Sequence, residues 1–499
     1  MNRRSGGPNL LFLMSDQHTQ RVAGCYGDGV VRTPALDRLA DRGVVFENAY
    51  CPSPICVPSR MSLLTGCYPA TQSCWTNSDT LASDRPTMAH ALGAAGYRPA
   101  LVGRLHALGP DQLHGYAERY VGDHSPNWIG VPRHSLGVLE RTNDPFRDSL
   151  RKSGPGQSAY QLHDADVTDA ACAWLEDRAA RRRAGDVEPF SLTLGFMLPH
   201  QPYVARREDY DPYDGKVGLP DTPPPDPGRE HPYLAWWRES TDTRAVTDAE
   251  TLRARTAYYG LVTRLDAMIG RVLDTLDRLA LDRDTLIVYT TDHGDQLGER
   301  GLWWKQTFYD ESAKVPLIVA WPGRLPAGTR RRQLVNLVDL APTVLEALVA
   351  PPLPNADGRS FWPVALDADH PWPDETFSEY CTDALEAWAG TTPVQQRMLR
   401  TRRWKLNYYH GHRPQLFDMA RDPRETTDLG DEPGHAAVRD GLMARLLATW
   451  DPEAIARRMR RRRLDKDLVG AWCRTMQPPD AYRWQLRMED NWLGEPPEA

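Results

Sequence analysis

Residues 9–17 read NLLFLMSDQ: a run of apolar side chains from Leu10 to Met14, closed by Ser15, Asp16 and Gln17. A continuous apolar run, rather than an alternation, is the pattern of a strand buried on both faces of a mainly parallel sheet. The same pattern recurs at residues 99–103, 190–197, 285–291 and 315–320. Helical patterns lie between these runs. In residues 164–183, Val167, Ala171, Trp174 and Leu175 share one face, and in residues 249–281, Leu261, Leu265, Met268, Ile269, Val272 and Leu276 form a stripe of 3.6-residue period. Strands alternating with helices predict an α/β fold, a large mixed and mainly parallel sheet sandwiched by helices.

Residues 201–245 are rich in Pro, Asp, Tyr and Trp and read as a long surface insertion. A Pro-rich stretch at 351–373 marks a domain boundary. It divides a large α/β domain (1–372) from a smaller α+β domain (373–450), with strand-like pieces at 398–399 and 404–409 and a helix at 436–450. Residues 451–499 form a tail expected to make an oligomer or active-site contact, and its basic run, Arg457 to Arg463, reads as a solvated helix face or an oligomer or anion contact.

The 499 residues carry a net charge of −7, with 41% hydrophobic and 25% charged residues. That composition is globular, and its mild acidity argues against a nucleic-acid partner. The longest apolar runs fall far short of the roughly 20 residues that cross a bilayer, and the opening segment reaches Asp16 too soon for a signal peptide. The expectation is a cytoplasmic protein with no membrane partner. Eight cysteines without a C-x-x-C pair suggest neither a disulfide scaffold nor structural zinc. Only six cationic residues are Lys, so a Lys inside a motif stands out.

Three places have the composition of a reactive site. Asp16-Gln17 follows the first strand, where ligands collect in parallel sheets, and a carboxylate with an amide oxygen suits a hard cation; a helix cap is the plainer alternative. Asp292-His293-Gly294-Asp295 repeats this geometry after the strand TLIVYTT at 285–291, again with a capping Asp and a structural His as the alternative. Cys56-Val57-Pro58-Ser59-Arg60 sets a thiol in a Pro-containing turn beside a cation. That Cys is either reactive or a small buried hydrophobe.

CVPSR at 56–60 followed by LLTG at 63–66 resembles the sulfatase signature, in which the Cys is oxidised to formylglycine. TPALDRLADRGVVFENAY (33–50), PHQP (199–202), DHGDQLGERGLWWK (292–305), DGRS (357–360) and QLFDMARDPRE (415–425) follow in the family's order. The branch most resembled contains choline sulfatases and phosphonate monoester hydrolases. The resemblance implies an alkaline-phosphatase-like fold and one divalent metal, calcium first, with manganese or magnesium as alternatives. Asp16, Gln17, Asp292, His293 and the modified Cys56 would hold it. It implies that a hydroxyl of the hydrated aldehyde attacks sulfur and that a base then deprotonates the second hydroxyl to expel sulfate.

By the same resemblance Arg60 supports the formylglycine, His106 in GRLH (103–106) is the candidate base, and His200 and Lys305 bind sulfate and protonate the leaving oxygen. Asn77 corresponds to an active-site amide. Arg104 stands where the family usually has Lys, as a substrate-binding cation. Trp304, with Trp128 and Trp303, would line an aromatic or quaternary-ammonium pocket or serve only in packing. The implied partners are a small-molecule sulfate ester, a formylglycine-generating maturation enzyme and a second copy in a homo-oligomer. The competing readings are a phosphonate monoester or phosphodiester hydrolase with the same site, and a non-catalytic binding protein retaining the fold.

Overall fold

The computed structural model describes residues 7–226, 228–383 and 394–496. Along the chain its strands are β1 (Asn9–Asp16), β2 (Gly43–Tyr50), β3 (Arg98–Gly103), β4 (Glu118–Tyr120), β5 (Gly154–Gln157), β6 (Phe190–Pro199), β7 (Val204–Ala205), β8 (Thr285–Thr291), β9 (Lys314–Val315), β10 (Leu317–Ala320), β11 (Thr329–Asn336), β12 (Glu375–Thr382), β13 (Val394–Thr401), β14 (Trp404–Tyr409), β15 (Gln415–Asp418) and β16 (Trp492–Leu493). The central sheet has the order β11-β2-β10-β8-β1-β6-β3-β4, with β9 paired to β2. β8, β1, β6, β3 and β4 run parallel. β1, β6 and β8 are buried along their whole length, as their unbroken apolar runs require. Each fully buried Leu there contributes about 1.5–3 kcal/mol.

Helices cover the sheet in two groups. Pro34–Asp41 and Ala159–Arg183 each pack on Asp248–Arg278, and Cys56–Thr65, Met88–Ala94 and Leu340–Ala347 pack on one another. The long helix Asp248–Arg278 opens on a capping box, in which Thr247 accepts from the Glu250 N–H and the Glu250 carboxylate accepts from the Thr247 N–H. A second, antiparallel sheet has the order β12-β13-β14-β15, and a third joins β16, β5 and β7. No helix among the described residues is long and apolar enough to cross a membrane.

Several expectations change. Residues 315–320 form two strands, not one: Pro316, which lacks an N–H for the ladder, separates β9 from β10. β10 is antiparallel to both β2 and β8. β2 and β11 were not anticipated, because Glu47 and Asn48 in one and three arginines in the other break the apolar pattern. Residues 201–245 are not a surface loop. They contribute β7 and two short helices, and bury Tyr203, Tyr213, Tyr233 and Trp237. Their Pro and Asp content suggests a loop, but their aromatic rings are core.

The basic run lies on the helix Pro452–Met476, and only part of it faces solvent. Met459 is buried, Arg458 donates to Ala70 O and to Ser73, and Arg462 pairs with Asp79 at 3.4 Å. Beyond this helix the chain returns to the α/β layers, where Asp123 forms a bridge with Arg483 and β16 pairs with β5 in the third sheet.

Candidate active site

The parallel register assembles the site. Ser15 is level with Thr291 and Asp16 with Pro199, so Asp16, Asp292 and His200 leave three neighbouring strands at their carboxyl ends. Gly103 is level with Gly195, which brings Arg104 to the same edge. Arg104 N–H donates to Gly195 O at 2.9 Å, and a Cβ on Gly195 would lie 1.8 Å from Arg104 O, so only glycine allows this approach.

Cys56 opens the buried helix Cys56–Thr65, whose N-cap residue Ile55 provides no side-chain cap. Asn77 supplies one from outside the helix, its Oδ1 accepting from Val57 N–H at 2.9 Å. The Cys56 Sγ lies 3.2 Å from His293 Nε2, 3.1 Å from Lys305 Nζ and 3.7 Å from Asp16 Oδ1. Burial, with the Asp16 carboxylate beside it, pushes this thiol up to about 11.

Arg60, only 1% exposed, bridges the two carboxylates: Nε to Asp292 Oδ2 at 2.8 Å and Nη2 to Asp16 Oδ2 at 3.0 Å. Burial alone would raise Asp16, but Arg104 and Arg60 hold it well below the usual carboxylate range. Removing one partner from such a buried ionic cluster costs about 3–5 kcal/mol.

Asp16, Cys56, Asp292 and His293 each offer a ligand atom, and these atoms lie within 4.8 Å of one another. Oxygen donors sit about 2.3–2.6 Å from calcium, so donors on opposite sides of one ion span roughly 4.6–5.2 Å. The set fits a single divalent cation. His293 Nδ1 donates to Gly294 O at 3.1 Å, which leaves Nε2 as a lone pair toward the other ligands. Gln17 is held differently. Its Nε2 donates to Gln201 Oε1 and Asp295 Oδ2, at 2.7 and 2.6 Å, and its Oε1 accepts from Lys305 Nζ at 2.8 Å. In this arrangement its amide oxygen faces Lys305.

Lys305 Nζ also lies 3.1 Å from His200 Nε2, and His200 Nδ1 donates to Gln201 O at 2.6 Å. Burial and the adjacent Lys305 hold His200 well below the ordinary histidine range. Arg104 spends every nitrogen on protein acceptors: Nε on Asp16 Oδ2 at 2.7 Å, Nη1 on Asp123 Oδ1 at 3.0 Å and Nη2 on His106 Nδ1 at 2.7 Å. Trp304 is fully enclosed and donates from Nε1 to Ser149 Oγ at 3.1 Å. Trp303 is buried against Tyr203, and Trp128 packs on Trp472 of the C-terminal helix. Gln17, His106 and Trp304 adopt positive φ, at 65°, 59° and 63°. Such backbone costs about 1–3 kcal/mol per residue and clusters at functional sites.

Asp123, Gln201 and Tyr203 join the site without having been anticipated, and Asp295, named only as part of its motif, joins it with a role of its own. Asp295 accepts from both Gln17 and Tyr203 through Oδ2, and Asp123 holds Arg104 and the His106 N–H. Asp295 and Gln201 stand inside the quoted DHGD and PHQP motifs, whereas Asp123 lies in no motif.

Residues 8–350 match the sulfatase family. The chain belongs to the sulfatase family. It is thereby one of the sulfuric ester hydrolases, with the alkaline-phosphatase-like fold of that superfamily. Residues 298–451 also match the C-terminal region of N-sulphoglucosamine sulphohydrolase. Among curated proteins, the choline-sulfatase of Rhizobium meliloti (strain 1021) is 34% identical over 90% of this chain and 88% of its own. Arylsulfatase K of Rattus norvegicus is 28% identical over 85% of this chain and 75% of its own. Among solved structures, the phosphonate monoester hydrolase of Silicibacter pomeroyi superposes with a TM-score of 0.71 at 28% identity, covering 88% of this chain and 94% of that one.

Proposed function

We propose that this sulfatase hydrolyses the sulfate ester of a small alcohol through residue 56, matured from Cys56 to formylglycine, with one divalent metal. The observation that carries the reading is the convergence of Lys305, His293 and Asp16 on the Cys56 side chain at 3.1, 3.2 and 3.7 Å. A hydrated aldehyde at position 56 would supply one hydroxyl to attack sulfur; loss of the proton of the second hydroxyl to a base would then restore the aldehyde and expel sulfate with the first oxygen. A divalent cation on Asp16, Cys56, Asp292 and His293, with Gln17 beside it, would supply Lewis-acid activation of that hydroxyl. Its two carboxylates favour calcium, the His293 nitrogen suits a transition metal such as manganese, and magnesium is the third alternative.

The other roles belong to the chain. Arg60 neutralises and orients both carboxylates from behind. Asn77 fixes the first turn of the nucleophile's helix. Lys305 and His200 receive the sulfate, and this pair delivers the proton to the leaving alcohol. Arg104 takes the place of the family's Lys as a second inner cation. Trp304 supports Lys305 from within the core. The maturation enzyme that converts Cys56 is the obligatory protein partner, a second copy of the chain completes a homo-oligomer, and the cytoplasm is the working compartment.

A second reading, hydrolysis of phosphonate monoesters, is favoured by the likeness to the Silicibacter pomeroyi enzyme. The two are separated by kcat/KM for an aryl sulfate and the matching aryl phosphonate. The sulfate reading expects the higher value for sulfate, and a large phosphonate preference would overturn it.

A further inference from the structure

Two histidines, His200 and His293, line the site and a third, His106, joins it through Arg104, and their neighbours set their tautomers differently. His200 and His293 each donate through Nδ1 to a main-chain carbonyl, of Gln201 and Gly294, and so keep a lone pair on Nε2. His106 is reversed. Its Nδ1 lies 2.7 Å from Arg104 Nη2, and a guanidinium can only donate. The Nδ1 is therefore the acceptor, and a neutral ring must carry its proton on Nε2.

The contact is braced from two sides. Asp123 Oδ1 accepts from Arg104 Nη1 at 3.0 Å, and Asp123 Oδ2 accepts from the His106 N–H at 3.0 Å. Arg104 Nε is anchored on Asp16 Oδ2, whose carboxylate partner Oδ1 faces Cys56. Among the described residues no group hydrogen-bonds His106 Nε2, and the residue keeps 8% of its surface exposed. Burial and the Arg104 charge hold the ring well below the ordinary histidine range.

We propose that Arg104, braced by Asp123, locks His106 in the tautomer that carries its proton on Nε2, so that His106 serves the bound ester as a hydrogen-bond donor, and the proton of the second hydroxyl passes instead to the Lys305–His200 pair, which the departing alcohol has left one proton short. This rests on the sulfate-ester reading of the site. It reassigns the role that the sequence suggested for His106, and it makes Arg104 and Asp123 positioning residues. The Arg found in place of the usual Lys suits this role. Its planar fork reaches Asp16, Asp123 and His106 at once, which a single ammonium nitrogen does with less geometric control.

The test is nitrogen NMR of the full-length protein labelled with ring-15N histidine, with His106 assigned by loss of its signals in His106→Gln. The expected result is an unprotonated Nδ1 and a protonated Nε2. Arg104→Met is expected to release the ring into a mixture of tautomers, and Arg104→Lys to restore much of the wild-type signature. A protonated Nδ1 in the unsubstituted protein would overturn the proposal. Kinetics give a second reading. Gln places an amide N–H near the position of Nε2, so His106→Gln is expected to lose about tenfold in kcat/KM, and His106→Leu on the order of 10²-fold or more, as when an oxyanion donor is removed. Equal losses in the two variants would overturn the donor role. Should no sulfate ester be hydrolysed at all, the functional reading fails, while the NMR signature still decides the tautomer.

Discussion

Lys305 Nζ stands 3.1 Å from Cys56 Sγ and reaches it from the side that His200 occupies. That places a cation against the nucleophile's position; in the proposed mechanism the Lys305–His200 pair then protonates the departing oxygen. Lys305→Met is expected to lower kcat/KM by on the order of 10²–10⁴-fold on an alkyl sulfate, the range for a general acid. The loss should shrink on a nitrophenyl sulfate, whose leaving group needs little protonation. Equal losses on the two substrates would remove Lys305 from the acid role.

Asn77 caps a helix to which it does not belong. Asn77→Ala leaves the Val57 N–H without its partner and is expected to cost about 1 kcal/mol of stability, the usual value of a cap. Urea unfolding measures this. Because the cap adjoins residue 56, kcat should fall as well, and a variant of unchanged stability and kcat would contradict the role.

Arg60 holds the Asp16 and Asp292 carboxylates close together, and the proposed divalent cation lies on their other side. Elemental analysis should find about one divalent ion per chain. Asp292→Asn should lose it by dialysis against a buffer that leaves the unsubstituted protein loaded. Full occupancy in the variant would exclude Asp292 as a ligand.

Acid should unfold the protein through its buried histidines. His18 is fully buried, hydrogen-bonded to Tyr289 Oη at 2.6 Å and to Val22 O at 2.8 Å, and burial pushes it down to about 4. Between pH 4 and the unfolded value near 6.5 the unfolded chain binds the extra proton, so stability rises with pH across that window. The contribution is complete above 6.5 and lost as pH falls to 4, about 3 kcal/mol for one such ring. Unfolding free energies measured from pH 4 to 7 should show that slope, reduced in His18→Gln. An unchanged slope in the variant would contradict it.

The C-terminal segment supports the site through Asp123. Asp123 N–H donates to Tyr482 O at 3.1 Å, and Trp484 N–H donates to Asp123 O at 2.9 Å. At Gly122 a Cβ would lie 1.2 Å from Tyr482 O, so Gly122→Ala must displace the returning chain. A cost of about 1–3 kcal/mol is expected, as for overpacking, together with a fall in kcat and little change in global secondary structure by circular dichroism. Unaltered kcat would show that the segment does not position Asp123.

Much of the site was legible because its residues end strands. Asp16, Asp292 and His200 follow apolar runs, and parallel register alone brings such positions together. Cys56 and Arg60 were legible from their motif. Asp123 was not: it follows the short strand β4, whose Glu-Arg-Tyr sequence carries no apolar signal, and its contact with Arg104 exists only because β4 pairs with β3. The direction of the His106 ring was equally hidden, since the residue type gives no tautomer. The 201–245 segment carries the signals of a loop because proline and aspartate mark loops, while the burial of Tyr203 and Tyr233 depends on partners far along the chain.

The formylglycine mechanism is tested most directly by the mass of the peptide containing residue 56, taken from protein that hydrolyses an aryl sulfate. The mechanism predicts an aldehyde in place of the thiol, with activity rising in proportion to its fraction. A thiol at position 56 in fully active protein would contradict it.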